Sequence, residues 1–314
     1  MEIIKRALFI TVLLCLFEAH AAHAQQGFEP RPIPLGVSGG NILDSSARYC
    51  CGGTLGSLVE DNQATQYILS PNHILARSNR GMPGDLIVQP GLIDTDCQKD
   101  PSDAVATLST YIPISFTANR IFPPKNKVNQ VDAAIAEVEA GKVDPSGSIL
   151  NIGQVSAETV APTLGMPVQK NGRTSGLTSG TITAVDVTAA VQYPTTCGSQ
   201  TYRIGWFTGQ IMVGPSGFSS AGDSGSLVVE DCLTSPRAVG LLFAGTNSST
   251  LLNPIGTVLS QLNVSMIGAQ GYCTSSEASS APAAAQSLSE VQPEELETVK
   301  AVINRLKIVL TYTP

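Results

Sequence analysis

Along the chain, short apolar or threonine-rich runs alternate with clusters of Gly, Pro, Asn and Asp. The clearest runs are Thr54–Val59, Gln66–Leu69, Asp85–Val88, Val131–Val138, Gly180–Val187, Tyr202–Val213, Ser226–Val229 and Ala238–Phe243. Many short strands with turn signals between them predict an all-β sandwich or barrel rather than βαβ units. The stretch 49–273 suits one large all-β unit or two small barrels sharing an interface. Inside it, the best helical pattern is short, near 254–262. Residues 25–48 read as an irregular lead-in, with Pro30, Pro32 and Pro34 closely spaced. Residues 274–290 form a Ser/Ala-rich linker. Beyond it Leu296, Val299, Val302 or Ile303, Leu306 and Val309 or Leu310 recur at helical spacing, predicting an amphipathic C-terminal helix over 291–314. Glu294 and Glu295 near its start and Lys300, Arg305 and Lys307 later suit the helix dipole. Its polar face is not strongly basic, which favours docking on the domain over a membrane surface.

The first 24 residues form a unit of their own. Lys5 and Arg6 precede an apolar run from Ala7 to Phe17, and Ala22-His23-Ala24 supplies a small-x-small cleavage site. This is the layout of a signal peptide, so the expected location is secreted or periplasmic. The run is shorter than the roughly 20 residues a bilayer needs, and no integral membrane span is expected. Without this segment six cysteines remain, namely Cys50, Cys51, Cys97, Cys197, Cys232 and Cys273. An even number in an exported protein predicts disulfides. A zinc site lacks both a CxxC pair and histidines, because His73 would be the single imidazole left. The 25 acidic and 18 basic residues give a net charge of −7, with no Lys/Arg cluster to neutralise phosphates. A nucleic-acid partner is therefore not expected.

Chemistry concentrates at three places. Gly222-Asp223-Ser224-Gly225-Ser226 sets a serine between glycines, which leaves room for an exposed hydroxyl and for backbone amides facing an oxyanion. An ordinary turn before a strand would read the same way. A serine nucleophile needs a base, and His73 follows the apolar run that ends at Leu69. The imidazole needs a carboxylate to fix its tautomer. Asp132 opens an otherwise apolar run, where an unpaired charge would be costly. Asp103 is its rival, although Asp100, Pro101 and Ser102 beside it suggest a solvated turn.

His73, Asp132 and Ser224 follow the chain order of chymotrypsin-like proteases. Cys51-Gly52-Gly53-Thr54-Leu55 resembles the strand leading towards the catalytic histidine of trypsins. Val239–Gly245 resembles the strand lining their primary specificity pocket. Residues 50–265 thus resemble the trypsin-like serine peptidase family. Asn72–Ala76, Val131–Ala136 and Asn253–Gly256 look closest to a secreted bacterial branch. The resemblance implies a two-barrel chymotrypsin-like fold and a serine endopeptidase acting on a polypeptide substrate, without metal or organic cofactor. It makes Ser224 the nucleophile, His73 the base and Asp132 its orienting acid, with the amides of Gly222 and Ser224 as the oxyanion hole. It also places Phe218, Phe243 and Gly245 in substrate binding, with Phe218 as an apolar floor that favours neutral side chains before the cut bond. Three departures stand out. Ile74 replaces the cysteine that would pair with Cys51, Ser226 replaces a glycine, and no Arg/Lys–Ile–Val–Gly–Gly activation site occurs. The absent activation site and the C-terminal helix leave a competing expectation, a secreted binding or scaffold protein on the same fold that is catalytically weak or inactive. For the disulfides, Cys50–Cys97 and Cys197–Cys232 are the expected pairs.

Overall fold

A computed structural model describes residues 27–118, 121–246 and 248–272, together with the backbone of Ile308–Thr311. The expected signal peptide (1–24) and linker (274–290) lie outside the described residues. The chain forms two antiparallel β-barrels.

In the first barrel, Val37–Asn41 pairs with Gly53–Leu55 on one side and Leu86–Val88 on the other. The ladder continues through Ala104–Tyr111, Ala134–Val138, Gln66–Ser70 and Ser57–Glu60. Gly53–Leu55 runs on into Ser57–Glu60 through Gly56, so six strands close into a ring. The run Thr54–Val59, one strand by sequence, is therefore kinked at Gly56. The cause is a backbone of the other barrel: a Cβ at Gly56 would collide with the Gly225 carbonyl and lie 2.9 Å from that of Leu69. Only glycine allows that approach.

The second barrel closes by pairing alone. Pro167–Gly172, Leu227–Glu230, Ala238–Gly245, Thr250–Pro254, Tyr202–Gly214 and Gly176–Pro194 follow one another around the ring, and the last pairs back to the first. Val168, Ile182, Ile211, Val228 and Leu252 fill its centre. A larger cluster joins the first barrel's Leu58, Ile68 and Leu69 to Leu227, Leu241 and Ile255, so the barrels share apolar core. The expected short helix is present as Ile255–Leu262, its far end turned by Asn263 at φ 55°.

Two of the barrel strands are longer than closure requires. Gly176–Pro194 and Tyr202–Gly214 continue past the barrel as an arm that carries Cys197 at its tip. There Cys197 is bonded to Cys51, which corrects the expected Cys197–Cys232 pair. The arm takes Cys197 away from its own barrel and across to the first one. Cys50–Cys97 is bonded as expected, and Cys232 is also in a disulfide. The C-terminal helix needs correction as well. Ile308–Thr311 is a strand, parallel to Ala189–Gln192 of the arm, while 291–307 lies outside the described residues. Ile308, Val309 and Thr311 are β-branched, and the arm offers them an edge to extend. Among the described residues no helix is long and apolar enough to cross a membrane.

Gly56→Ala should destabilise the fold by about 3 kcal/mol or more, because two packed backbones would have to separate. Urea unfolding of the variant beside the parent checks this; equal midpoints would show that the approach is not tight.

Candidate active site

The register of the first barrel brings its candidate residues together. Gln66–Ser70 lies beside Ala134–Val138 with Ser70 opposite Ala134. The chain leaves Ser70 through Pro71 into the one-turn helix Asn72–Leu75, while Asp132 lies two residues before its strand. His73 and Asp132 therefore emerge at the same end. The Asp132 carboxylate is 2.6 Å from His73 Nδ1 through Oδ2, and its Oδ1 accepts from the His73 amide at 3.2 Å. Asp132 is completely buried. Its backbone is gripped by Asn253, whose Oδ1 accepts from the Asp132 amide and whose Nδ2 donates to its carbonyl, both at 3.1 Å. Asp103, the rival acid, ends a 3₁₀ turn, and its carbonyl accepts from Gln89 and Arg31 instead.

After His73 the chain makes a sharp left-handed turn, with φ of 51°, 54° and 72° at Arg77, Ser78 and Asn79. Non-glycine residues adopt this conformation only when surroundings impose it. Here Asn72 and Asn79 impose it by bonding to each other, Asn72 Nδ2 to Asn79 Oδ1 and the Asn79 amide to Asn72 Oδ1. The helix bearing His73 is thereby fixed at both ends.

Ser224 comes from the other barrel. Its carbonyl accepts from the Thr54 amide at 2.8 Å, and the Gly222 carbonyl accepts from Thr54 Oγ1 at 3.0 Å. Gly53 lies between the serine turn and the histidine helix: a Cβ there would be 2.8 Å from the Ser224 carbonyl and 2.5 Å from Ile74 Cδ1. Gly222 and Gly225 have φ of 96° and 106°, values that L side chains rarely adopt. Among the described residues, neither the Gly222 nor the Ser224 amide donates to a protein acceptor. Both remain available to an oxyanion.

Asp223, between them, is turned inward. Its Oδ1 accepts from the amides of Thr174 and Ser175, and its Oδ2 from Ser175 Oγ and the Ser220 amide. Lys170 Nζ lies 3.4 Å from Oδ2, both side chains being fully buried. Burial pushes the lysine below its ordinary pKa, and Asp223 pulls it partly back. Arg173 adds a second tie across the barrels through a fork to Asp94, Nε to Oδ2 at 2.8 Å and Nη2 to Oδ1 at 2.5 Å.

The expected pocket needs correction. Phe218 is 2% exposed and packs in the second core with Val168, Val213 and Leu242, so it offers no floor to a ligand. Phe243 is buried too, its ring 4.8 Å from that of Phe207. Gly245 keeps its place near the surface, beside Ser219 and Thr250, whose hydroxyls are 2.6 Å apart. Aromatic side chains near a glycine-rich turn look the same in sequence whether they line a pocket or fill a core. Sequence reading also missed three polar residues that serve the site. Lys170 is a polar position within a strand pattern, which is its only signal, and Asn253 stood in a motif of the resemblance without a role. The third is Tyr193, on the arm, whose hydroxyl donates to Asp132 Oδ2 at 2.8 Å.

The model of the Nal1 C-terminal domain matches residues 121–257. No curated protein matches the chain. Among solved structures, similarity is found to a glutamic acid-specific serine protease described as using a histidine triad in substrate binding. It is 18% identical, with 74% of this chain and 100% of that chain covered and a TM-score of 0.47. A chymotrypsin from Cellulomonas bogoriensis is 18% identical and protease A of Thermobifida fusca 19%. Each covers 76% of this chain and 99% of its own, at a TM-score of 0.47. At such values the meaning of the site rests on its own geometry.

Replacing Lys170 by Met strands the Asp223 carboxylate in the core, a change that costs about 3–5 kcal/mol for a buried pair. Chemical denaturation should show that loss, and adding Asp223→Asn should recover part of it. A Lys170→Met protein as stable as the parent would mean the pair is not what holds the turn.

Proposed function

We propose that this protein is a secreted serine endopeptidase, hydrolysing peptide bonds through His73, Asp132 and Ser224. The observation that carries the reading is the buried Asp132–His73 pair at 2.6 Å, at the end of one barrel against which the Ser224 turn of the other is bonded. Ser224 attacks the carbonyl carbon while His73 accepts its proton, and Asp132 keeps the imidazole in the tautomer whose Nε2 can do so. The Gly222 and Ser224 amides receive the oxyanion. His73 then protonates the leaving amine, and water releases the acyl group from Ser224. The hydroxyls of Ser219 and Thr250 beside Gly245, with Phe218 and Phe243 withdrawn into the core, support a preference for small, neutral side chains before the cut bond.

One observation favours a second reading, a binding or scaffold protein with weak catalysis. The His73 side chain is only 2% exposed and Ser224 only 5%. Labelling with a fluorophosphonate probe separates the two. The peptidase reading expects covalent labelling that Ser224→Ala abolishes, that His73→Ala lowers by several orders of magnitude, and that Asp132→Asn leaves weak. Labelling unaffected by His73→Ala would sink the triad.

A further inference from the structure

We propose that Tyr193 is a positioning residue of this site, holding the Asp132 carboxylate in line with His73; this rests on the triad reading above. Tyr193 is fully buried on the arm, its ring packed with Phe116 and Phe207. A phenylalanine would fill that aromatic cluster equally well, so packing does not account for the hydroxyl. A buried phenol requires an acceptor, and Asp132 Oδ2 is the one it meets. That same oxygen faces His73 Nδ1, and the tyrosine ring stands edge-on to the imidazole at 5.8 Å. Two donors on one carboxylate oxygen, and the His73 amide on the other, leave the carboxylate no rotation that keeps its bonds. The phenol also takes up part of the carboxylate's charge, which tempers its hold on an imidazolium.

Among the described residues, the charged groups that share a small cavity with His73 are Asp44, Arg77 and Arg80. Burial raises the Asp44 pKa against the opposing pull of Arg80, Arg77 and His73. None of these is altered by Tyr193→Phe, the conservative test. Its rate of fluorophosphonate labelling should fall about tenfold, the scale of one hydrogen bond to a charged group. Its acid limb should move to higher pH, because Asp132 then holds the imidazolium more tightly. The His73 Nδ1–H resonance, which needs no turnover, should move to lower field. A Tyr193→Phe protein with reduced stability but an unchanged pH profile and resonance would overturn the proposal. Asp132→Asn run in parallel tells the two failures apart: parental labelling there removes the triad itself.

The burial of the site and the arm's disulfide carry a second inference. We infer that the arm tip is a disulfide-held strap over one side of His73. The cavity beside His73 is about 20 Å³ and has Pro194, Thr196 and Cys197 of the tip in its wall. That is room for about one water on the side of His73 that faces Asp44, Arg77 and Arg80. The tip is fastened by Cys51–Cys197, and Gly198 packs against the Tyr49 ring so closely that a Cβ would overlap it. A dithiol would open this fastening, becoming a disulfide itself while Cys51 and Cys197 take up its two hydrogens as thiols. The strap could then lift and uncover this side of His73.

Diethyl pyrocarbonate reads this without catalysis, since it transfers an ethoxycarbonyl group to an accessible imidazole and releases ethanol and carbon dioxide. In the Cys51→Ser/Cys197→Ser protein, peptide mapping should show the His73 peptide modified severalfold faster. Circular dichroism distinguishes a lifted strap from an unfolded chain. If the double variant does not fold, mild dithiol treatment and alkylation of Cys51 and Cys197 in the parent protein gives the same comparison. Equal His73 modification in a folded protein lacking this disulfide would overturn the strap, whatever becomes of the triad.

Discussion

Two backbones touch where the barrels meet, and the site depends on that contact. The Gly225 turn presses into the kink at Gly56 so closely that neither position can carry a Cβ. The contact fixes Thr54 against Ser224, through its amide and the Ser224 carbonyl, and against Gly222 through its hydroxyl. Thr54 continues the bonding outward, accepting from the Arg173 amide at its hydroxyl and from Ser70 Oγ at its carbonyl. Ser70 ends the strand that leads to His73. A single strand thus links the serine turn of one barrel to the histidine helix of the other. Side-chain packing alone could not set that spacing, because side chains give by a few tenths of an ångström and opposed backbones do not.

Two buried carboxylates flank Ser224 and His73, and each is satisfied differently. Asp223 has four hydrogen bonds and a lysine, which lock the turn that presents the Gly222 and Ser224 amides. Among the described residues, Asp132 meets no lysine or arginine. Its charge is met by the His73 ring and amide and by the Tyr193 hydroxyl. A buried carboxylate already paired with a lysine would gain little from an imidazolium, whereas one held only by hydrogen bonds gains most when His73 takes up a proton. The first arrangement suits a scaffold and the second suits proton transfer.

The arm shows how an extended hairpin becomes part of a site in another barrel. Beyond the length needed for closure, Tyr202–Gly214 pairs with Phe116–Thr117 and Val128–Asn129 from the segment that leads to Asp132, while Gly176–Pro194 pairs with Tyr202–Gly214. The arm is therefore anchored along its side as well as at its tip by Cys51–Cys197. Tyr193 sits between these anchors, which is why its hydroxyl can hold a fixed place beside Asp132.

Strand-period runs, turn residues and glycine punctuation were enough to give the all-β class, most of the barrel strands and the short helix at Ile255–Leu262. These follow from local propensity and alternation, which act within a few residues. That Asp132 rather than Asp103 would be buried with a partner was also legible, because an acid facing an apolar run must find one while an acid in a turn finds water. Partners far apart in the chain were not. The Cys51–Cys197 bond, the Lys170–Asp223 pair and the Tyr193 hydroxyl on Asp132 join positions 146, 53 and 61 residues apart. Phe218 and Phe243 carry no local mark of which way they point, and the β-branched tail 308–311 became a strand only because the arm offered an edge. Sequence alone determined most of the strand segments and which residues were candidates for chemistry. Tertiary structure decided which of them meet, since hydrogen bonds, ion pairs and disulfides act over a few ångströms that only the closed barrels bring about.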